Sequence, residues 1–96
     1  MITYEEARTR VVDLLESRGR RIEGGLVVVE EKTLTKSYGW VFFYNSKLFL
    51  ETRDIRHGIA GNGPLVVLSS TGELVMLGTA RPAVDEIVAF ERSRNL

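Results

Sequence analysis

Tyr4, Ala7, Val11, Leu14, Leu15 and Arg18 recur at steps of three and four, with Glu5, Arg8, Asp13, Glu16 and Ser17 between them. That spacing predicts a helix with one buried stripe and one wet face. Thr3 and Glu6 stand at the distance at which each side chain satisfies a backbone N–H left unpaired by a helix start, so the helix is placed over 3 to 18, with Gly19 as a left-handed cap. The period then changes. Leu26 to Val29 is apolar and β-branched and runs through alternating polar residues to Thr35, which predicts a strand. Ser37-Tyr38-Gly39 turns the chain into a second strand, Trp40 to Tyr44, closed by Asn45-Ser46-Lys47. Leu48 to Leu50 suggests a short third strand, and Asp54 can cap one helical turn reaching Ala60. Pro64 opens a strand through Leu68, and Ser70-Thr71-Gly72 supplies the turn that brings Leu74 to Leu77 back antiparallel. Pro82 suits the first turn of a last helix, near 82 to 94, whose buried stripe is Val84, Ile87 and Val88 and whose Arg92 and Arg94 favour the negative end of its dipole. The fold class is α+β: an antiparallel sheet of about four to five strands flanked by an N-terminal and a C-terminal helix.

Leu26 to Val29, Trp40 to Tyr44 and Leu65 to Leu68 are apolar on both faces of the pleat, whereas a sheet with one wet face alternates. If both helices lie on one side, an aromatic face is left for a partner. Trp40 and Tyr44, with Glu51 and Asp54 as a charged rim, are therefore the expected contact residues for a protein partner or for a second copy of the chain, in a homodimer.

The chain has 96 residues, 44% hydrophobic and 27% charged, which suits one globular domain over 1 to 96. Thirteen basic residues balance thirteen acidic ones, so no global field draws it to nucleic acid or an anionic membrane, and neither is an expected partner. No cysteine is present, which excludes disulfides, thiolate zinc sites, iron–sulfur clusters and cysteine nucleophiles. His57 is the single histidine and lacks a companion at metal-ligand spacing, so no metal and no cofactor are expected. Met1 to Arg10 is polar, and no apolar run reaches the roughly 18 residues a membrane helix needs, so the expected location is cytoplasmic.

Three constellations have chemical readings. Gly61-Asn62-Gly63-Pro64 precedes a strand, whereas phosphate loops lie between a strand and a helix, so it is taken as a tight turn. Glu51 with Asp54, and Glu30 with Glu31, offer carboxylate pairs but bracket strands, as a solvated rim does. Ser46, Asp54 and His57 supply the residue types of a hydrolytic triad without a nucleophile-elbow motif.

From Gly39 on, the Trp-x-Phe-x-Tyr-Asn-Ser segment at Trp40 to Ser46 is followed by four more recognisable pieces. They are Leu50-Glu51-Thr52, Ala60-Gly61-Asn62-Gly63-Pro64, Thr71-Gly72, and Gly78-Thr79-Ala80 before Pro82. In this order, and with the Tyr4-Glu5-Glu6-Ala7 start, they resemble the immunity protein 35 family, the YrhB-type domain. The segment between Arg18 and Gly25 is the least family-like. The resemblance implies a small bacterial cytoplasmic protein that neutralises a cognate toxin of a polymorphic or contact-dependent system by binding it. It brings no catalytic residues, so the expectation is a non-enzymatic protein. The alternatives are a general chaperone-like or stability domain without a dedicated toxin, and a small hydrolase using Ser46, Asp54 and His57.

Overall fold

Thr3 and Glu6 close the predicted capping box: the Glu6 N–H donates to Thr3 Oγ1 at 3.2 Å, and the Thr3 N–H donates to Glu6 Oε1 at 3.1 Å. Helix α1 follows, Tyr4–Arg18, in a computed structural model that describes all 96 residues. Gly19 ends it, but at φ −88° and not in the left-handed conformation expected. Its small size is what matters, because a Cβ there would stand 3.0 Å from the Leu26 amide nitrogen.

Each of the two long strands expected between Leu26 and Tyr44 is broken in two. Strand β1 is Leu26–Val28, β2 is Leu34–Lys36, β3 is Gly39–Phe42 and β4 is Tyr44–Ser46. Val28 pairs with Tyr44 and Leu34 with Val41, so the five residues Val29 to Thr33 of the first arm stand against two, Phe42 and Phe43, of the second. The surplus folds into a 3₁₀ turn, Glu30–Lys32, and the ladder bends there, as at an enlarged β-bulge. The result is a two-stranded ribbon, β1-β4, beside a four-stranded antiparallel sheet in the order β2-β3-β5-β6, where β5 is Leu65–Leu68 and β6 is Leu74–Met76. The hairpin through Ser70-Thr71-Gly72 forms as expected, with Val67 opposite Leu74.

Leu48 to Leu50 is not a strand. It lies in helix α2, Lys47–Thr52, because the Ser46 hydroxyl accepts the Phe49 N–H at 3.2 Å and so starts a helix where a turn was expected. Asp54 caps as expected, accepting the Arg56 N–H at 2.9 Å, but the turn it opens is a short 3₁₀ segment, Ile55–His57, ending at Gly58 and not at Ala60. Helix α3 runs Ala83–Ser93, with Pro82 just ahead of it.

The two long helices lie on opposite faces of the sheet, so the aromatic face expected to be left bare is covered. On one side Ala7, Val11 and Leu15 of α1 pack with Phe42, Leu65 and Val67. On the other, Ile87 and Phe90 of α3 pack with Val41, Val66 and Leu68. Alternate residues of β3 and β5 thus enter two different cores, which explains runs that are apolar on both faces. The buried stripe of α3 is Glu86, Ile87 and Phe90; Val84 and Val88, expected inside, are 68% and 40% exposed. Phe90 packs inward with its ring 6.2 Å from that of Tyr38, and Glu86 is held by Arg81, whose Nε donates to Glu86 Oε1 at 2.9 Å.

Candidate functional site

Trp40 and Tyr44, expected as contact residues, both take part in the α1 side of the core. Tyr44 is 8% exposed, and Trp40 is half-buried with its ring edge-on to Tyr4 at 6.0 Å. Tyr44 also lines a hollow of about 150 Å³ between the bend and α2, together with Phe43, Phe49 and Arg53; Trp40 does not reach it. Glu51 and Asp54 lie on a different feature, an arm of chain from Glu51 to His57 made of the last residues of α2 and the 3₁₀ turn after it.

That arm is exposed yet braced residue by residue. Thr52 Oγ1 donates to the Leu48 carbonyl at 2.8 Å and accepts the Asp54 N–H at 3.1 Å. Arg53 takes the left-handed conformation at φ 58°, donates its N–H to the Phe49 carbonyl at 2.7 Å, and sets its guanidinium 5.7 Å from the centre of the Phe49 ring. Asp54 binds Arg56 through both carboxylate oxygens, accepting from Nε at 3.1 Å and from Nη2 at 2.6 Å. This bidentate fork, joined by the Arg56 backbone N–H, holds the Asp54 carboxyl below the ordinary carboxylate range. The Gly58 N–H closes the turn on the Ile55 carbonyl at 3.1 Å.

At the tip stands Ile55, 85% exposed, between the exposed Arg53 and Arg56 and close along the chain to the exposed Glu51. An aliphatic side chain of this size left in water has about 1.5–3 kcal/mol to gain from burial against another surface. A backbone already ordered by capping and an ion pair loses little entropy when that contact forms. The pattern at Asp54-Ile55-Arg56 gave no hint of it, since a single apolar residue in a polar loop has no period.

Ser46, Asp54 and His57 do not form a triad. The Ser46 hydroxyl is buried and caps α2, the Asp54 carboxylate is occupied by Arg56, and no side-chain hydrogen bond joins any two of the three; the His57 N–H meets only the Asp54 backbone carbonyl, at 3.0 Å. Gly61-Asn62-Gly63-Pro64 is a turn, as expected, whose Asn62 Nδ2 donates to the Tyr44 carbonyl at 3.1 Å. Glu30 is paired with Arg8, so it is not free to act with Glu31. No three acidic or histidine side chains gather at one point, and no helix is long and apolar enough to cross a membrane.

The chain is 33% identical over 91 residues to the uncharacterized protein YrhB of Escherichia coli (strain K12), an alignment covering 95% of this chain and 90% of that protein. No solved structure is significantly similar to it. The model of the immunity protein 35 family matches residues 5–88, from the first turn of α1 into α3, and the chain belongs to the immunity protein 35 family.

Proposed function

We propose that this protein neutralises a cognate bacterial toxin, of a polymorphic or contact-dependent system, by binding it and not by chemistry of its own. Membership of the immunity protein 35 family carries the reading. The arm from Glu51 to His57 supports it, because Ile55 is a large apolar group presented to solvent on an ordered backbone, the form that interface anchors take. In this reading Ile55 is the anchor, Arg53 and Arg56 flank it, and Glu51 and Asp54 set the partner's orientation and on-rate. Trp40 and Tyr44 act behind the surface, by holding β3 and β4 against α1.

Co-expression with the toxin encoded nearest its gene tests the proposal. The wild-type chain is expected to protect cells and to co-purify with the toxin. Ile55→Asp is expected to lose both while melting as the wild type does. Absence of protection and of a complex would refute the toxin reading, and protection undiminished in Ile55→Asp would move the contact away from the arm. Suppression of aggregation of unrelated proteins, without any toxin complex, would favour the chaperone-like alternative.

A further inference from the structure

We propose that the outer edge of β1 and the flank of α1 form a groove that binds an extended peptide segment of another protein by strand addition. This site is distinct from the Ile55 arm, and the inference holds whether or not the partner is a toxin.

The hydrogen-bond phase of the ribbon fixes which amides are free. The Lys47 N–H donates to the Gly25 carbonyl at 3.1 Å, and the Val29 N–H donates to the Phe43 carbonyl at 2.8 Å. With the register Leu26 to Ser46 and Val28 to Tyr44, the two-residue alternation of an antiparallel ladder makes Val27 and Asn45 the bonded pair between them. Leu26 and Val28 therefore turn their backbone groups away from β4. The same phase turns Tyr44 and Ser46 outward on the other edge, and there the chain covers them. Asn62 Nδ2 donates to the Tyr44 carbonyl at 3.1 Å, and the Ser46 N–H donates to Asn45 Oδ1 at 2.8 Å. Gly19 closes over the Leu26 amide, but no group of the chain answers the Leu26 carbonyl or the N–H and carbonyl of Val28. These three consecutive groups are what an added strand bonds to.

The groove beside them has a volume of about 290 Å³. Leu26, Val27 and Val28 all line it. Successive side chains of a strand point to opposite faces, so three in a row can line a hollow only along the strand's edge. The half-buried Val12 of α1, backed by the core residue Leu15, forms the apolar wall against which alternate side chains of an incoming strand would lie. Arg8 closes one end in its ion pair with Glu30, while Glu16 on the same flank has no partner, so the uncompensated charge of the groove is negative. The occupant this selects is an extended segment with apolar residues at alternate positions and a basic residue beside them.

Hydrogen exchange on the ¹⁵N-labelled chain, with and without a peptide, provides the test. The probe is an acetylated octapeptide of alternating valine and threonine with lysine at both ends. In the free protein the Val28 amide is expected to exchange about 100-fold faster than that of Val27, since one is open and the other lies in the ladder. Added peptide is expected to slow Val28 and to shift the Val12 and Leu15 resonances. The same peptide N-methylated at alternate amides should bind at least about tenfold more weakly, because a methyl group removes the donor that strand addition requires. Val12→Lys, which narrows the groove without touching the ribbon, should weaken binding with an unchanged melting temperature. Slow exchange of Val28 in the free monomer, equal binding of the N-methylated peptide, or no binding would each overturn the proposal. A concentration-dependent dimer that protects Val28 without peptide would overturn it too, by making a second copy the occupant.

Discussion

Polar side chains in this chain mostly serve its own backbone. Ser46 and Asp54, two members of the triad that composition allows, each accept an N–H at the start of a helical turn. Ser46→Ala should therefore cost about 1 kcal/mol of stability through the lost cap of α2, read as a lower urea midpoint, with the far-UV spectrum otherwise kept. Glu91 plays a comparable part on the α3 side: it accepts the Tyr38 hydroxyl at 2.7 Å and lies 3.3 Å from Lys36 Nζ. The Tyr38 bond first, and Lys36 after it, hold the Glu91 carboxyl below the usual range, while burial and the same carboxylate push the Tyr38 hydroxyl up. A carboxylate whose folded-state pKa is depressed contributes stability above its unfolded pKa and loses it as the pH falls through the folded one. Stability is thus expected to fall on acidification below the ordinary glutamate range, and Glu91→Gln should flatten that fall in part, with the Glu73–Arg94 pair accounting for a further share. An identical pH profile in Glu91→Gln would contradict it. Such roles are visible in sequence where they are local, as at Thr3 and Glu6. The Tyr38–Glu91 bond spans 53 positions, and no spacing rule announces it.

Elements were legible wherever their cause lies within a turn or two of chain. The bounds of α1 and α3 follow from caps and periodicity, and the β5–β6 hairpin from its Ser-Thr-Gly turn. The bend that splits the first hairpin was not legible, because it arises from a mismatch between two arms, five residues against two, that exists only once their register is set. The resulting strands are short, so single backbone contacts matter. Gly39 opens β3 at φ 150°, and a Cβ there would meet the Val67 carbonyl oxygen at 2.0 Å, in the middle of the sheet. Gly39→Ala would have to force β3 from β5 in a conformation that L-residues avoid, and a loss of about 3 kcal/mol or more is expected. Chemical denaturation checks this, and a variant within about 0.5 kcal/mol of wild type would mean that the strands separate there without strain.

At the scale of the whole molecule, one sheet supplies the floor of two cores. The apolar runs announced that both faces needed cover, but two helices can lie on one side or one on each, and the second arrangement is held by the packing of Tyr4 on Trp40 and Phe42 and of Phe90 on Tyr38. Val41 and Val66 face α3, while their neighbours Phe42, Leu65 and Val67 face α1. Neither core can open without disturbing strands that the other requires, so the chain should unfold in one cooperative step. Leu15→Ala on the α1 side should cost about 2–5 kcal/mol and Phe90→Ala on the α3 side about 3–5 kcal/mol, each through the cavity it leaves. Trp40, the single tryptophan, lies in the α1 core, whereas far-UV dichroism reports every element. In both variants the fluorescence and dichroism melts should shift down together and stay superimposed. Phe90→Ala is the sharper case, because its cavity is on the face that Trp40 does not touch. If dichroism fell first there while Trp40 fluorescence held to the wild-type midpoint, the two cores would be independent units, and the sheet between them would not be the coupling element that its alternating residues make it.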